Sequence, residues 1–435
     1  MLNWTAQDLA HACAGLLSAP PELPLSAMHF DSRQMQPGSV FVALATGARD
    51  GHDFVSTAFE QGAALALVQH RVDGPHVCVP DTLQALQAIA RAHREAVAGR
   101  VFAITGSMGK TTTRRLLQAI LSQRAKVLAT EGNYNNHIGV PLTLCRYRDQ
   151  QDVVLEMGAN HQGEIGELRA IGRPHIVAIT LAGRAHLEGF GGIEGVIQGK
   201  GEILDHLPAE GVAVLNAEDP AFERWSKRAG AARVVSFGEG GVVRAEHIQD
   251  RQFQLVIADQ HISINLQLAG RHQINNALCA AAMAYADGVS MEHIRAGLES
   301  VPPEAGRGQR LKRGSITLID DTYNANPDAM HAAVRALLSE DPQGIAVLGA
   351  MRELGRESQA AHHEVGAQAK AMGLHHLWTM DPDIAKGFGP GAQVFADPES
   401  IQAALDGLEG PHRVLIKGSR GAAMERCFAH WKLGE

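Results

Sequence analysis

Apolar residues fall into short runs separated by amphipathic stretches, and the pattern changes character twice along the chain. In the first hundred residues the runs "SVFVAL", "ALALV" and "HVCVP" read as short strands. The segments "DFVSTAFEQGA" and "TLQALQAIARAHREAVA" read as helices. Together they predict a small α/β unit. From "VFAITG" onward, strands and helices alternate for roughly a hundred residues, the signature of a parallel sheet. The strands there are "VFAITG", "KVLAT", "DVVLEMG", "HIVAITLAG" and "GVAVLNA". Residues 252–268, "QFQLVIADQHISINLQL", instead alternate apolar and polar positions, which predicts antiparallel strands appended to the sheet. An Ala-rich helix, "HQINNALCAAAMAYA", and a second near 291–299 follow. The prolines and glycines of "VPPEAGRGQR" mark a linker. Beyond it, "SITLIDDT", "GIAVLGAM", "HHLWTM", "QVFA" and "RVLIKGS" predict a third, doubly wound α/β unit. The expected plan is α/β throughout, with domains at 1–98, 99–304 and 305–435 joined by two hinges.

Length agrees, since 435 residues suggest about three domains. With 45% hydrophobic and 20% charged residues, the composition is that of a globular protein, and nothing in it suggests disorder. A formal net charge of -8 gives no basic footprint for nucleic acid or an anionic membrane. No apolar run approaches the roughly 18 residues that span a bilayer. The amphipathic N-terminus lacks a cationic leader, which argues against a signal peptide. The five cysteines are scattered and odd in number, without a CxxC pair, and favour buried free thiols in a reducing cytoplasm. No coiled-coil pattern or interface stripe argues for assembly, so a monomer is expected.

The most informative chemistry lies in "VFAITGSMGKTTTRRLLQAI". Gly106, Ser107, Met108 and Gly109 form a turn between an apolar run and a helix, followed by Lys110, Thr111 and Thr112. Glycines let successive N–H groups point at a phosphate, and the helix N-terminus adds partial positive charge. Lys110 would meet the β- and γ-phosphates, and Thr111 a magnesium ion. The strict Walker pattern needs glycine where Ile104 stands, so a shorter G-x-x-G-K-T form remains. The structural alternative is a glycine-rich turn with a surface lysine. Against it, a lysine followed by three threonines is a poor helix start. Glu156 ends the run "DVVLEMG", His186 follows the next strand, and Lys200 lies one helix later. Ligands of parallel sheets collect at that edge. On spacing alone Lys200 is a solvated helix lysine.

The ordered motifs "ITGSMGKTT", "EGNYNNHIGVPLTL", "LEMGANHQGEI", "AHLEGFGG", "GKGEIL", "GRHQINNALCAAA" and "GRGQR" resemble those of the Mur ligase family, over nearly the whole chain. These are ATP-dependent amino-acid and peptide ligases of cell-wall precursor synthesis. The resemblance implies three domains: a uridine-nucleotide domain, a central P-loop parallel-sheet domain and a C-terminal Rossmann-like domain. "DDTYNANPDAM", "VLGAMRELG" and "DSRQMQPGSVFVAL" with "DGHDF" narrow it to ligation of D-Ala-D-Ala to UDP-N-acetylmuramoyl-tripeptide through an acyl phosphate. It further implies ATP held by residues 106–112, Asn276 and Asp321, and two Mg2+ ions held by Thr111, Glu156, His186 and Lys200. Lys200 stands where the family carries a CO2-carbamylated lysine. Lys110, His186, Lys200 and Arg307 would be catalytic. Ser32, Arg33, Asn324, Asn326 and Lys417 would meet the substrates. The bland alternatives are a helix cap or first-turn residue for Asn276, an exposed strand end for Asp321, a surface turn for Ser32 and Arg33, and a strand-to-helix loop with Pro327 at helix position one for "YNANPDAM". Gln273, Ala329 and Ala350 depart from the usual asparagine, serine and aspartate.

Two other classes remain open. One is a relative that adds a single amino acid or extends folate with glutamate; the D-N-P-R stretch of the diaminopimelate-adding relatives is absent. The other is a nucleotide-binding regulator without chemistry, for which Glu156, His186 and Lys200 would be superfluous.

Overall fold

The computed structural model describes residues 4–47, 49–96 and 98–433. Three large sheets organise them, besides a two-stranded antiparallel pair, Ala45–Thr46 with Arg49–Asp50. The first has five strands in the order Leu16–Leu17, His76–Cys78, Ala63–Val68, Ser39–Val42, Met28–His29, parallel except at its first pair. The central sheet has nine strands. Val127–Ala129, Asp152–Glu156, Arg100–Thr105, Ile176–Ile179, Val212–Asn216, Arg233–Phe237 and Val243–Gln249 run parallel. Gln252–Ile257 and Gln260–Asn265 then close the edge antiparallel, as their alternation predicts. The third sheet has six strands, parallel except for Gln309–Arg313, which pairs antiparallel with Ile316–Asp321.

The central strands are apolar on both faces because helices cover both. Leu116, Leu117, Ile120 and Leu121 of helix Lys110–Leu121 are fully buried. Helices Arg271–Ala286 and Met291–Ser300 pack against it. The approach to the second is close enough that a Cβ on Gly297 would lie 2.3 Å from the Ile120 Cα.

The two predicted hinges differ. One apolar cluster runs from Leu86 and Ile89 of helix Thr82–Glu95 into Val140, Leu144 and Leu168 of the central domain. Arg94 also donates from Nε to the Gly172 carbonyl at 2.9 Å. A shared core therefore ties the first two domains together at the first expected hinge. The third domain has separate cores, around Leu348 and Val365 on one face of its sheet and Val347 and Phe428 on the other. It is ion-paired to the central domain through Arg184, which meets Asp328 and Glu364. The predicted linker is shorter than expected, since the strand Gln309–Arg313 begins inside it.

All five cysteines are free, and Cys145, Cys279 and Cys427 are buried. Among the described residues no helix is long and apolar enough to cross a membrane.

Candidate active site

Parallel register aligns Ile104 with Glu156 and Thr105 with Ile179, so three central strands deliver their C-terminal ends to one edge. The turn after Thr105 is stitched to the neighbouring strand end. Ser107 N donates to the Leu181 carbonyl at 3.0 Å, and Ser107 Oγ accepts from Gly183 N at 2.9 Å. Thr180 Oγ1 donates to the Met108 carbonyl at 2.5 Å.

Two glycines are required by geometry. Gly106 has φ +141°, and a Cβ there would lie 1.9 Å from Thr180 Oγ1. Gly109 has φ +80°, and its Cβ would lie 2.2 Å from Asn276 Oδ1. Gly106→Ala should therefore break the Thr180 bond and cost about 2–3 kcal/mol. A thermal melt checks the loss of stability, and ADP titration should show weakened binding in parallel.

Gly109 is the N-cap of helix Lys110–Leu121 and offers no side-chain cap. The first-turn amides are left as donors for an anion. Lys110 stands at the first helical position and no acid occupies that turn, the reverse of what the helix dipole favours. Lys110 Nζ donates to the Gly106 carbonyl at 2.7 Å. Burial pushes its pKa down, opposed by the charge of Glu156 and reinforced by Arg307. A partly desolvated cation beside uncapped amides makes a strong phosphate site.

Glu156 is buried at 2% exposure. Its Oε1 accepts from Thr111 Oγ1 at 3.1 Å and from Asn135 Nδ2 at 2.9 Å. Its Oε2 has no hydrogen-bond partner, with Arg114 Nε 3.6 Å away. A hydroxyl and a carboxylate oxygen with spare acceptor capacity are hard donors that fit Mg2+. Among the described residues no group of three or more His, Cys, Asp or Glu could hold a metal ion. Magnesium is commonly held by one or two carboxylates plus phosphate oxygens, a role that Glu156 beside the phosphate loop fits.

A cavity of about 930 Å³ opens at this edge. It is lined by Ser107 to Thr112, Glu156, His186 and Asn276 from the central domain, and by Arg307, Asp321, Asn324, Asn326 and Lys417 from beyond the linker. Lys417 Nζ donates to Asp321 Oδ2 at 2.7 Å and to the Asn324 carbonyl at 2.9 Å. Asp321 is thus ion-paired at its strand end. Arg307 lies over the Tyr323 ring, 3.8 Å from its centroid, an attractive cation–π arrangement. Asn326 caps helix Pro327–Glu340, its Oδ1 accepting from Ala329 N at 2.8 Å. The loop reading with Pro327 at helix position one therefore describes the local fold, while Asn326 also faces the cavity. Asn276 is well inside helix Arg271–Ala286, so its capping alternative fails. Its Nδ2 donates to Gln273 Oε1 at 3.0 Å.

Lys200 does not line this cavity, and it is not solvated either. It is buried at 1% exposure. Its Nζ donates to the Ala159 carbonyl at 3.2 Å and sits 4.7 Å from the Phe190 ring centroid. Burial first, then Lys110, lower its pKa to about 7, against the pull of Glu164 and Glu202. His186 is half-buried, and its Nδ1 lies in close contact with the Glu353 carboxylate of the third domain. Burial lowers its pKa, Glu353 raises it, and Lys110 and Lys200 lower it further.

Ser32 and Arg33 also lie outside the cavity lining. Ser32 is turned inward at 9% exposure, and Arg33 is bound to Asp31 at 2.7 Å. Their neighbour Phe30 packs edge-on against Tyr134, with ring centroids 6.1 Å apart. Tyr134 belongs to the segment whose Asn133, Asn135 and Asn136 do line the cavity. Asn135, Tyr323 and Glu353 also line the cavity, and the sequence does not single them out. For Asn135 the signal was its place in "EGNYNN".

Fold and site together define a three-domain α/β protein with a phosphate-binding loop at a domain junction. The chain belongs to the Mur ligase family. Residues 24–101 match the model described as "Mur ligase family, catalytic domain". Residues 104–284 match "Mur ligase middle domain", and residues 306–420 match "Mur ligase, glutamate ligase domain". The UDP-N-acetylmuramoyl-tripeptide–D-alanyl-D-alanine ligase of Escherichia coli K12 is 37% identical over 98% of this chain and 97% of its own. The Bacillus subtilis 168 protein of the same name is 30% identical over 98% and 97%. Among solved structures, MurF from Acinetobacter baumannii superposes with a TM-score of 0.93 at 35% identity, covering 98% of each chain. MurF ligase from Thermotoga maritima, solved in complex with ADP, gives 0.83 at 27% identity, over 94% of this chain and 97% of its own.

Proposed function

We propose that this chain ligates D-Ala-D-Ala to the terminal carboxylate of UDP-N-acetylmuramoyl-tripeptide, with ATP converted to ADP and phosphate. This would be the last cytoplasmic amino-acid addition to a peptidoglycan precursor. One observation carries the reading. A single cavity joins the phosphate loop and the Thr111–Glu156 pair to Arg307, Asp321 and Lys417 from the third domain. The names of the E. coli and B. subtilis relatives and the ADP bound to the T. maritima relative support it.

We further propose the division 1–98 for the uridine-nucleotide substrate, 99–304 for ATP and 305–435 for the dipeptide. Ser32 and Arg33 would meet the uridine diphosphate, Asn276 the adenine, and Asn324, Asn326 and Lys417 the substrates. The chemistry requires one anion to approach another. A tripeptide carboxylate oxygen attacks the γ-phosphorus while the bond to the ADP oxygen breaks. The loop amides, Lys110 and Arg307 offset that repulsion. The dipeptide amine then attacks the acyl carbon and loses a proton, and the bond to phosphate breaks. Thr111 and Glu156 would hold one Mg2+, and His186 with a carbamylated Lys200 a second, supplying Lewis-acid neutralisation of phosphate charge. Closure of the third domain would exclude water from the acyl phosphate.

The test is a phosphate-release assay crossing UDP-muramoyl-tripeptides bearing lysine or diaminopimelate with D-Ala-D-Ala and with D-alanine. Release that needs both tripeptide and dipeptide is expected. Release supported equally by a single amino acid would redirect the reading to another ligase of the family, and ATP binding without release to a regulator.

A further inference from the structure

The loop that carries His186 is fastened to the third domain at several points. Arg184 N donates to Asp328 Oδ2 at 2.8 Å, and Arg184 Nε donates to Asp328 Oδ1 at 3.2 Å. Arg184 Nη1 reaches a different helix, donating to Glu364 Oε2 at 2.7 Å. Asp328 lies in the first turn of helix Pro327–Glu340, and Glu364 lies in helix Ser358–Ala371. Two residues on, His186 meets Glu353. A Cβ on Gly355 would lie 3.0 Å from the Glu188 side chain, so the backbones run close there too. The guanidinium fork suits this task, since it satisfies one carboxylate while a remaining N–H reaches a second. The three partners are about one-third exposed, so the contacts form at an interface rather than within a core.

We propose that Arg184 is the positioning residue that docks the third domain onto the nucleotide half of the cavity. By gripping Asp328 it fixes the start of the helix capped by Asn326, and with it the loop of Asn324 and Asn326 that faces the phosphate loop. By gripping Glu364 it sets the rotation of the domain about that point. The inference rests on the ligase reading only for its consequence, which is that the dipeptide side of the cavity loses its alignment when the grip is lost.

The full-length protein tests this in two ways. Spin labels on exposed sites of the central and third domains report the interdomain distance without nucleotide or substrate. Arg184→Ala and Asp328→Asn should each lengthen and broaden it, and high salt should do the same to the unaltered protein. In the phosphate-release assay, Arg184→Ala should raise the KM for D-Ala-D-Ala about tenfold. The KM for ATP should stay within about threefold. The double variant should add little to Arg184→Ala, which already removes the side-chain contacts to Asp328 and to Glu364, and should exceed Asp328→Asn, which leaves the Glu364 contact in place. Arg184→Lys should recover part of the effect by keeping one contact. Unchanged distances in both single variants overturn the proposal. So does an equal fall in all kinetic constants together with a lowered melting temperature, which would mark a merely structural residue. If the unaltered protein shows no dipeptide-dependent release, the ligase reading fails while the distance result still decides the clamp.

Discussion

Lys110→Ala is expected to lower phosphate release by about a thousandfold, the scale seen when one preorganised donor to developing charge is removed. Its ammonium faces a junction where the phosphate loop, Arg307 and Lys417 converge. An anionic carboxylate must reach an anionic phosphate there, and no other full positive charge stands in the loop itself. Stability should move the other way or not at all. Lys110 sits at a helix N-terminus, where a cation costs about 0.3–1 kcal/mol. It is also desolvated, and that burial pushes its pKa down. The variant should therefore melt no lower than the parent while losing turnover and most ADP affinity. Calorimetric titration of ADP, melting and phosphate release separate the three quantities. Turnover within tenfold of the parent would remove the phosphate loop from the mechanism.

That opposition between stability and function explains why the loop was legible from sequence. The stretch breaks local rules by placing a lysine and three threonines at a helix start with no cap, and local rules are broken where function demands it. The strands beside it were legible for a simpler reason. Runs such as "VFAIT" and "DVVLE" are buried on both faces, so every residue reports its surroundings. Gln309–Arg313 is the opposite case. "QRLKR" is polar, lies at the sheet edge, and becomes a strand only because Ile316–Asp321 pairs with it. Arg233–Phe237 and Val243–Gln249 were likewise not singled out, and both have half-exposed positions that blur the period.

Residues whose role depends on a partner distant in sequence were the least legible. Nothing local distinguishes Arg184 from a surface arginine; its partners lie 144 and 180 residues away. Lys200 looked solvated because helix position alone does not reveal what covers it. Ala159, Phe190 and Lys110 set its environment from three other segments. The hinge expected near residue 98 had the same defect, since the apolar cluster crossing it is assembled from residues on both sides. The motion proposed for catalysis therefore belongs to the second junction, where the third domain keeps its own cores.

Lys200→Met should abolish most turnover, about a hundredfold or more, while leaving the fold intact or firmer. A buried amine with pKa near 7 is substantially neutral at physiological pH, whereas an ordinary lysine is almost wholly protonated. Only the neutral amine adds CO2; the product then loses a proton to become a carbamate anion, able to help hold a divalent cation. In CO2-free buffer without divalent cations the sign of the stability effect is fixed. Between pH 7 and the ordinary lysine value of 10.5, the unfolded chain holds a proton that the folded chain has released. Stability contributed by this site therefore rises with pH across that window and is at its lowest below pH 7. Methionine fills a similar volume without a charge to desolvate, so the variant should lose that slope and unfold at higher denaturant near pH 7. With 13C-bicarbonate, the parent should show a carbamate carbon resonance that the variant lacks, and its turnover should fall when CO2 is stripped. A parent with no such resonance and no dependence on CO2 would leave Lys200 as an uncarbamylated buried amine, and the second metal would have to be held without it.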